Sequence, residues 1–322
     1  MELRLEARAP FRLDLTVWAL RRQPGNRIDT WQSGVYRRSF GSHAGAVLAE
    51  VHQCGSTQQP MLQVWLHGVA ADDPARREDI VAMLRRMLGL DVDLSGFYAQ
   101  AAGDPDLGPL VLRYRGLKPP RFATLFEALA NAVACQQVSL ASGIALLGRL
   151  GAQFGPAQPL APELPAFPRP QDLCDADPLA LRALGFSRQK TGYLTGLARD
   201  LAGGKLTAAA LEVADDAGAM RMLSTLRGIK RWSAQYVALR GLGRLAVFPV
   251  DDVGAHKHLA AWLGVPRLDA EATAALMRRW QPYAGLVYFH VLLKRLEEAG
   301  HLSTGPANDP VPITSAPTRA RA

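Results

Sequence analysis

The stretch Leu226-Arg-Gly-Ile-Lys-Arg-Trp-Ser-Ala234 places a single glycine in a short turn between two predicted helices. A glycine there permits a left-handed backbone and a close approach of the turn to another surface. The amides of the turn and of the next helix then point outward together, which suits an anion such as a DNA phosphate. Arg227, Lys230 and Arg231 add positive charge at the same tip. Taken alone, the segment also fits an ordinary helix connection with solvated charges.

A second set of signals follows this hairpin along the chain. Trp232 and Tyr236 are four residues apart and therefore share one face of the predicted helix Arg231–Arg240. A loop with glycine and proline comes next, and it ends at the carboxylate pair Asp251 and Asp252. Aspartate is a favoured N-cap, so Asp252 has a structural explanation beside any chemical one. The order is a hairpin, a helix, a Gly/Pro loop and an aspartate that opens another helix.

The composition indicates a globular protein. Apolar residues make up 48% and charged residues 20% of the 322, and about 150 residues per domain predicts two domains. No apolar run approaches the roughly 18 residues of a membrane span. The segment Met1–Pro10 carries charges and no apolar run follows it, which argues against a signal peptide. We therefore expect a soluble cytoplasmic protein.

The net charge indicates the kind of partner, and the cysteine content limits the kinds of disulfide and metal site. Basic residues exceed acidic ones by 37 to 29, giving a net charge of +8 and a pI near 9.7. This excess favours a polyanionic partner, although a merely basic protein also fits it. The cysteines Cys54, Cys135 and Cys174 are far apart and form no CxxC pair. Disulfide scaffolds, zinc knuckles and four-cysteine iron–sulfur clusters are thereby excluded.

Periodicity predicts an α+β protein with its strands at the start. Alternation of Leu13, Leu15 and Val17 and the apolar run Met61–Leu66 indicate strands, and Asp73–Leu88 has helical spacing. From Phe122 onward the period is helical, beginning with one helix that runs past Val138. The proline-rich segment 156–170 is either a linker or an ordered extended loop. Further helices are predicted near residues 178–184, 188–202, 207–213, 217–225, 231–240, 252–263, 270–279 and 284–299.

The break at Lys118-Pro-Pro120 gives the predicted domain boundary. We expect a β-containing N-terminal α/β domain over 1–118 and an all-α core over 119–302. Residues 303–322 are mostly Ser, Thr, Pro, Ala and Asn, which predicts a disordered tail.

Two more segments complete a recognisable pattern. Phe126-Glu127, followed by Cys135-Gln-Gln-Val-Ser139, and the turn Leu184–Lys190 accompany the hairpin and the Asp252 loop. Together they resemble the helix-hairpin-helix (HhH-GPD) DNA glycosylase superfamily, in its alkylation-repair, AlkA-like DNA-3-methyladenine glycosylase II branch. The resemblance implies a TATA-binding-protein-like domain before the helical core, and a first segment whose helix faces the lesion. It also implies excision of alkylated bases from DNA.

The resemblance implies a role for each matching residue. Asp252 would be catalytic, because breaking an N-glycosidic bond builds positive charge on the sugar that a carboxylate stabilises. Four aromatic residues would line the base pocket, namely Trp232, Tyr236, Trp18 and Tyr283. For Trp232, Tyr236 and Trp18 the alternative is packing in the core. Gln137 would fill the gap left by the flipped base. The DNA backbone would be contacted by the hairpin, namely Arg227, Gly228, Ile229, Lys230 and Arg231.

Several departures bear on the chemistry. Lys230 replaces the usual second glycine of the hairpin, and Val253 stands where the family often has an aromatic pocket wall. Bifunctional relatives carry a Schiff-base lysine where this chain has Trp232, so the resemblance implies a monofunctional enzyme. His256 and His258 are two apart and point to different faces, so we expect no metal site. No cofactor is required, although the family often holds a monovalent cation on hairpin carbonyls.

Three interpretations remain open. The first is a glycosylase for 3-methyladenine and 7-methylguanine type lesions that acts as a monomer on damaged double-stranded DNA of the nucleoid. The second keeps the chemistry and changes the lesion to oxidised, deaminated or N1/N3-alkylated bases. The third is a non-catalytic binder of DNA structure, against which Asp252 argues because a carboxylate near phosphates weakens binding.

Overall fold

The N-terminal part is built on one antiparallel sheet. The computed structural model describes residues 1–42, 45–68 and 73–302. Five strands pair in the order β1-β5-β4-β3-β2. Their bounds are β1 Glu2–Glu6, β2 Thr30–Gln32, β3 Val35–Ser42, β4 Gly45–Gln53 and β5 Met61–His67. In β5 buried and half-buried residues alternate, so one face of the sheet packs against the core.

The segment predicted as a strand around Leu13 is a helix, α1 (Leu13–Arg21). Eight of its nine residues are buried, so its apolar residues do not mark a single face. Leu13, Val17 and Leu20 also have the spacing of one face of a helix. Because the segment is buried on all sides, its apolar residues do not distinguish a helix from a strand. The prediction of a strand here was wrong.

Three more helices precede the predicted boundary. They are α2 (Pro74–Leu88), α3 (Ser95–Ala102) and α4 (Leu107–Arg113). The first was predicted, and Asp73 caps it by accepting a hydrogen bond from the Ala75 amide. The other two, which sequence analysis missed, are short and pack near the C-terminal helix.

The rest of the chain is helical. Its elements are α5 (Leu125–Cys135), α6 (Leu140–Phe154), α7 (Pro170–Leu173), α8 (Pro178–Ala183), α9 (Arg188–Ala202), α10 (Ala208–Val213), α11 (Asp216–Ser224), α12 (Arg231–Arg240), α13 (Val253–Leu263), α14 (Ala270–Met277), a 3-10 turn Arg278–Trp280 and α15 (Ala284–Glu298). The single helix predicted past Val138 is two, because the backbone is extended at Gln136 and left-handed at Gln137, where φ is 54°. Segment 156–170 is the ordered loop of the two alternatives, with Ala166 and Phe167 buried.

The core does not divide at residue 118. One apolar cluster joins sheet residues such as Val64 to Phe126 of α5, and another joins Trp18 of α1 to Leu286 of α15. A buried ion cluster also crosses the boundary, since Arg38 of β3 binds Glu127 of α5 at 2.5 Å. The division into 1–118 and 119–302 stays a prediction, and the predicted tail 303–322 lies outside the described residues. No described helix is long and apolar enough to span a membrane.

Candidate active site

The hairpin between α11 and α12 requires its glycine. Gly228 has a φ of 91°, and a Cβ added there would lie 2.5 Å from the Cγ of Tyr193. Both the backbone and the contact with the ring therefore exclude a side chain. Lys230, which replaces the family's second glycine, has a φ of −101° that any residue adopts. The structure thus explains why lysine is tolerated there.

The start of α12 is open to an anion. Its N-cap, Lys230, makes no side-chain hydrogen bond to the helix, so the first amides have no hydrogen-bond partner among the described residues. Arg227, Lys230 and Arg231 are exposed around this end, and Arg231 also pairs with Asp251 at 3.2 Å. These amides, together with the dipole of α12 and the flanking cations, can bind a phosphate.

Ile229 differs from its neighbours in the hairpin. Its side chain is buried, and its amide donates to the carbonyl of Leu226 at 3.1 Å. The structure therefore does not present the side chain or the amide of Ile229 to a ligand. Of the hairpin residues predicted to meet DNA, the three cations and Gly228 remain at the tip.

Asp252 has a structural and a cleft-facing role at once. Its Oδ1 accepts from the Ala255 amide at 2.9 Å, which caps α13. Its Oδ2 accepts from Trp232 Nε1 at 3.1 Å and from the Tyr288 hydroxyl at 3.2 Å. The half-buried carboxylate is therefore held by groups from three helices, α12, α13 and α15.

Trp232 and Tyr236, named here the aromatic wall, stand behind this carboxylate. The rings of Trp232 and Tyr236 stack with centroids 5.3 Å apart, as their spacing on one helix face predicts. Trp232 lines the cleft, whereas Tyr236 is 2% exposed and lies behind it. Burial and the neighbouring Asp252 raise the pKa of Tyr288 well above its usual value, so its hydroxyl is a proton donor. Sequence analysis missed Tyr288, because its contact with Asp252 spans 36 residues and no local pattern marks it.

The other two predicted pocket aromatics pack elsewhere. The Tyr283 ring packs edge to face against Phe97 of α3, with the ring centroids 5.7 Å apart. Trp18 is buried and stacks with His301, with centroids 6.1 Å apart. Neither side chain lines the cleft that contains Asp252. Trp18 takes the core position that was its alternative.

A loop across the cleft is tied to the hairpin. The segment 136–139, named here the wedge loop, follows α5 directly. Gln136 Nε2 donates to the Gly228 carbonyl at 2.8 Å and to Ser233 Oγ at 3.0 Å. Lys190 Nζ donates to the carbonyl of Ala134 at 2.8 Å, and burial lowers the pKa of this lysine. The exposed Gln137 projects from the loop, so a gap in a duplex can receive it.

Glu127, in the segment thought to face the lesion, points away from the cleft. Its side chain is 2% exposed and binds Arg38 of the sheet. Burial raises the pKa of Glu127. The C-terminal end of α5, where the wedge loop begins, borders the cleft, whereas Glu127 does not. That this helix faces the lesion stays a prediction.

The hairpin, the wedge loop, the turn before α9 and the Asp252 loop enclose a single cleft of about 760 Å³. Its lining includes Gln137, Tyr193, Lys230, Trp232 and Asp252. A volume of this size is ordinary for a small-molecule site. Among the described residues, no three His, Cys, Asp or Glu side chains cluster as metal ligands. His256, one of the two histidines considered earlier, contacts the Val250 carbonyl at 2.5 Å.

Comparisons with known proteins agree with this geometry. Residues 130–282 match the HhH-GPD superfamily of base excision DNA repair proteins, and residues 2–124 match the AlkA N-terminal domain. DNA-3-methyladenine glycosylase 2 of Escherichia coli is 30% identical over 270 residues, which are 82% of this chain and 87% of that protein.

Solved structures share the fold. The 3-methyladenine DNA-glycosylase from Archaeoglobus fulgidus superposes with a TM-score of 0.78 at 22% identity, covering 94% of this chain and all of that one. The 3-methyladenine DNA glycosylase Mag1 of Schizosaccharomyces pombe, solved with abasic DNA, has a TM-score of 0.56 at 21% identity. That match covers 65% of this chain and all of the yeast one. The chain therefore belongs to the DNA-3-methyladenine glycosylase family, a branch of the HhH-GPD superfamily of base excision DNA repair proteins.

Proposed function

We propose that this chain is a monofunctional DNA glycosylase that flips alkylated bases of the 3-methyladenine and 7-methylguanine type out of duplex DNA. It hydrolyses the N-glycosidic bond and leaves an abasic site. The observation that carries the proposal is the Asp252 carboxylate, which Trp232 and Tyr288 hold at the edge of a cleft between the hairpin and the wedge loop. A binder of DNA structure has no need of a carboxylate in that place.

The chemistry follows from that carboxylate. When the bond between C1′ and the base nitrogen breaks, both electrons leave with the base and positive charge develops on the sugar. The negative charge of Asp252 stabilises this cation and orients the water whose oxygen bonds to C1′. The water's proton passes to the carboxylate or to solvent. Methylated purines are good leaving groups, so one carboxylate suffices.

Base recognition falls to the aromatic wall. Methylation of a ring nitrogen makes a purine electron-poor and often cationic, and aromatic faces attract such rings. The half-buried Trp232 faces the cleft with Tyr236 stacked behind it. Gln137 would enter the duplex from the wedge loop and hydrogen-bond the base left without its partner.

The hairpin supplies the anchor on DNA. The open start of α12 and the exposed Arg227 and Lys230 would bind a backbone phosphate. We expect the enzyme to act as a monomer on double-stranded DNA of the cytoplasmic nucleoid.

Hydrolysis needs no cofactor, but the hairpin carbonyls fit a monovalent cation. Among the described hydrogen bonds, the carbonyls of Leu226, Gly228 and Lys230 accept one each, whereas none reaches the carbonyls of Thr225, Arg227 and Ile229. Carbonyls of the second group would hold the ion, which would add positive charge beside the phosphate.

Cleavage of the DNA strand after base release is not expected. It would require a free amine that forms a Schiff base with the sugar. The lysine position of bifunctional relatives is Trp232 here. Of the two lysines that line the cleft, Lys190 is bonded to a carbonyl of α5, and Lys230 lies two residues before the Schiff-base position.

The test is single-turnover release of methylated bases from duplex DNA. We expect Asp252→Asn to lose at least 100-fold in rate while retaining DNA affinity, because asparagine still caps α13. Asp251→Asn is the matched control, because its carboxylate pairs with Arg231 and should change the rate only a few-fold. Equal rates for wild type and Asp252→Asn would refute the assignment. Binding without release by the wild type would support the non-catalytic alternative.

A further inference from the structure

Two buried arginines lie beneath the aromatic wall. Arg22, at the end of α1, is 3% exposed, and its Nη1 donates to the Tyr236 hydroxyl at 2.5 Å. Arg240, at the end of α12, is fully buried with its guanidinium carbon 5.9 Å from the centre of the Tyr236 ring. We call this pair the arginine floor.

The arginine floor has no bonded counter-charge. Among the described residues, no carboxylate oxygen lies within 4.0 Å of either guanidinium. Arg22 Nη2 donates to the Asn131 side chain at 2.6 Å, and Arg240 Nη2 donates to the Ala19 carbonyl at 2.8 Å. These partners are neutral, so they satisfy hydrogen bonds without cancelling charge.

The buried carboxylates nearby are already engaged. Asp29 acts on both guanidiniums from a distance, but its own oxygen binds Arg38 at 2.7 Å. Glu127 binds Arg38 as well, at 2.5 Å. Neither carboxylate is therefore bonded to the arginine floor.

Buried donors without partners point the same way. Arg22 Nε, Arg240 Nε and Arg240 Nη1 have no hydrogen-bond acceptor in the described structure. Aromatic rings pack against both guanidiniums: the guanidinium carbon of Arg240 lies 5.1 Å from the centre of Phe122 and 5.2 Å from that of Phe289, and that of Arg22 lies 5.3 Å from Phe122. These cation–π contacts stabilise the charges without cancelling them. In a poorly polarisable interior the field of such charges extends through the tyrosine ring to the cleft.

We propose that Arg22 and Arg240 determine lesion preference by assisting the departure of neutral bases over cationic methylpurines. A neutral base leaves C1′ with the bonding electron pair and becomes anionic until it takes a proton from water. Positive charge behind Tyr236 stabilises that anion. A cationic base such as 7-methylguanine leaves as a neutral molecule, gains nothing from the charge and is repelled by it on entry. The inference rests on the proposed glycosylase function and extends its lesion range.

The test compares two lesions within one protein. Duplexes of identical sequence carry hypoxanthine, which is neutral, or 7-methylguanine, which is cationic. Their single-turnover release rates are measured for wild type, Arg22→Met and Arg22→Lys. We expect Arg22→Met to lower the ratio of hypoxanthine to 7-methylguanine release at least tenfold. Arg22→Lys, which keeps the charge, should stay within a few-fold of the wild-type ratio.

The ratio removes effects on folding and DNA affinity, since both lesions share them. Arg22→Gln is the second variant if the methionine does not fold, because an amide can still bridge Tyr236 and Asn131 without charge. An unchanged ratio in the neutral variants, or release of 7-methylguanine but not hypoxanthine by the wild type, would overturn this inference alone. Release of neither base by the wild type would contradict the proposed function as well.

Discussion

Substitution of Gly228 by alanine should damage the hairpin by an amount that the structure allows us to work out. A side chain at a φ of 91° costs about 1 to 3 kcal/mol. The new Cβ would lie 2.5 Å from Tyr193 Cγ, an atom that rotation about the ring cannot move away. Tyr193 would have to leave its place and its hydrogen bond with Gln189 at 2.6 Å, which adds about 1 kcal/mol.

The total of about 2 to 4 kcal/mol can be relieved by unfolding or by displacing the hairpin from the cleft. We therefore expect a lower free energy of unfolding in denaturant titrations and at least a tenfold loss of affinity for undamaged duplex DNA. Gly196→Ala in α9 is the control, because a Cβ there meets no atom within 4 Å and should stabilise the helix by about 0.5 to 1 kcal/mol. Wild-type stability and DNA affinity in Gly228→Ala would refute the reasoning.

Three further substitutions test other parts of the structure. Burial lowers the pKa of His290 from 6.5 to about 4. Between pH 6.5 and pH 4 the unfolded chain therefore binds more protons than the folded one, and acid lowers the free energy of unfolding by up to about 3 kcal/mol. His290→Phe should lose part of this sensitivity when denaturant midpoints at pH 7 and pH 4.5 are compared. Glu127→Ala leaves the buried Arg38 with one carboxylate and should cost about 3 to 5 kcal/mol, measured by thermal or denaturant unfolding. Gln136→Ala unties the wedge loop from the hairpin and should slow single-turnover base release about tenfold, with a loss of only about 1 to 2 kcal/mol in stability.

The parts of the site that the sequence predicted are those set by short spacings. The hairpin glycine, the stacked Trp232 and Tyr236, and the cap formed by Asp252 each depend on residues within a few positions of one another. Helical periodicity and capping chemistry are local, so they survive in a single sequence without tertiary information. The same holds for α9 and α12, whose predicted bounds match the structure.

The parts that escaped prediction depend on distant contacts. Arg22 bonds a tyrosine 214 residues away, and Tyr288 reaches Asp252 from another helix. No periodicity distinguishes a tyrosine that meets the carboxylate from Tyr283, which packs on Phe97. The prediction of a strand at α1 was wrong for a related reason, because burial on all sides hides the pattern of its apolar residues.

The hydrogen bonds of Asp252 also limit what this carboxylate can do. Each carboxylate oxygen has about two lone-pair sites for hydrogen bonds. Oδ2 accepts from both Trp232 and Tyr288, whereas Oδ1 accepts only the Ala255 amide among the described groups. One site is therefore open, on Oδ1, and it can hold a single water while the other three fix the direction of the charge. The cap of α13 and the orientation of the water then depend on the same oxygen, so the fold of this loop and the geometry of attack at C1′ are set together.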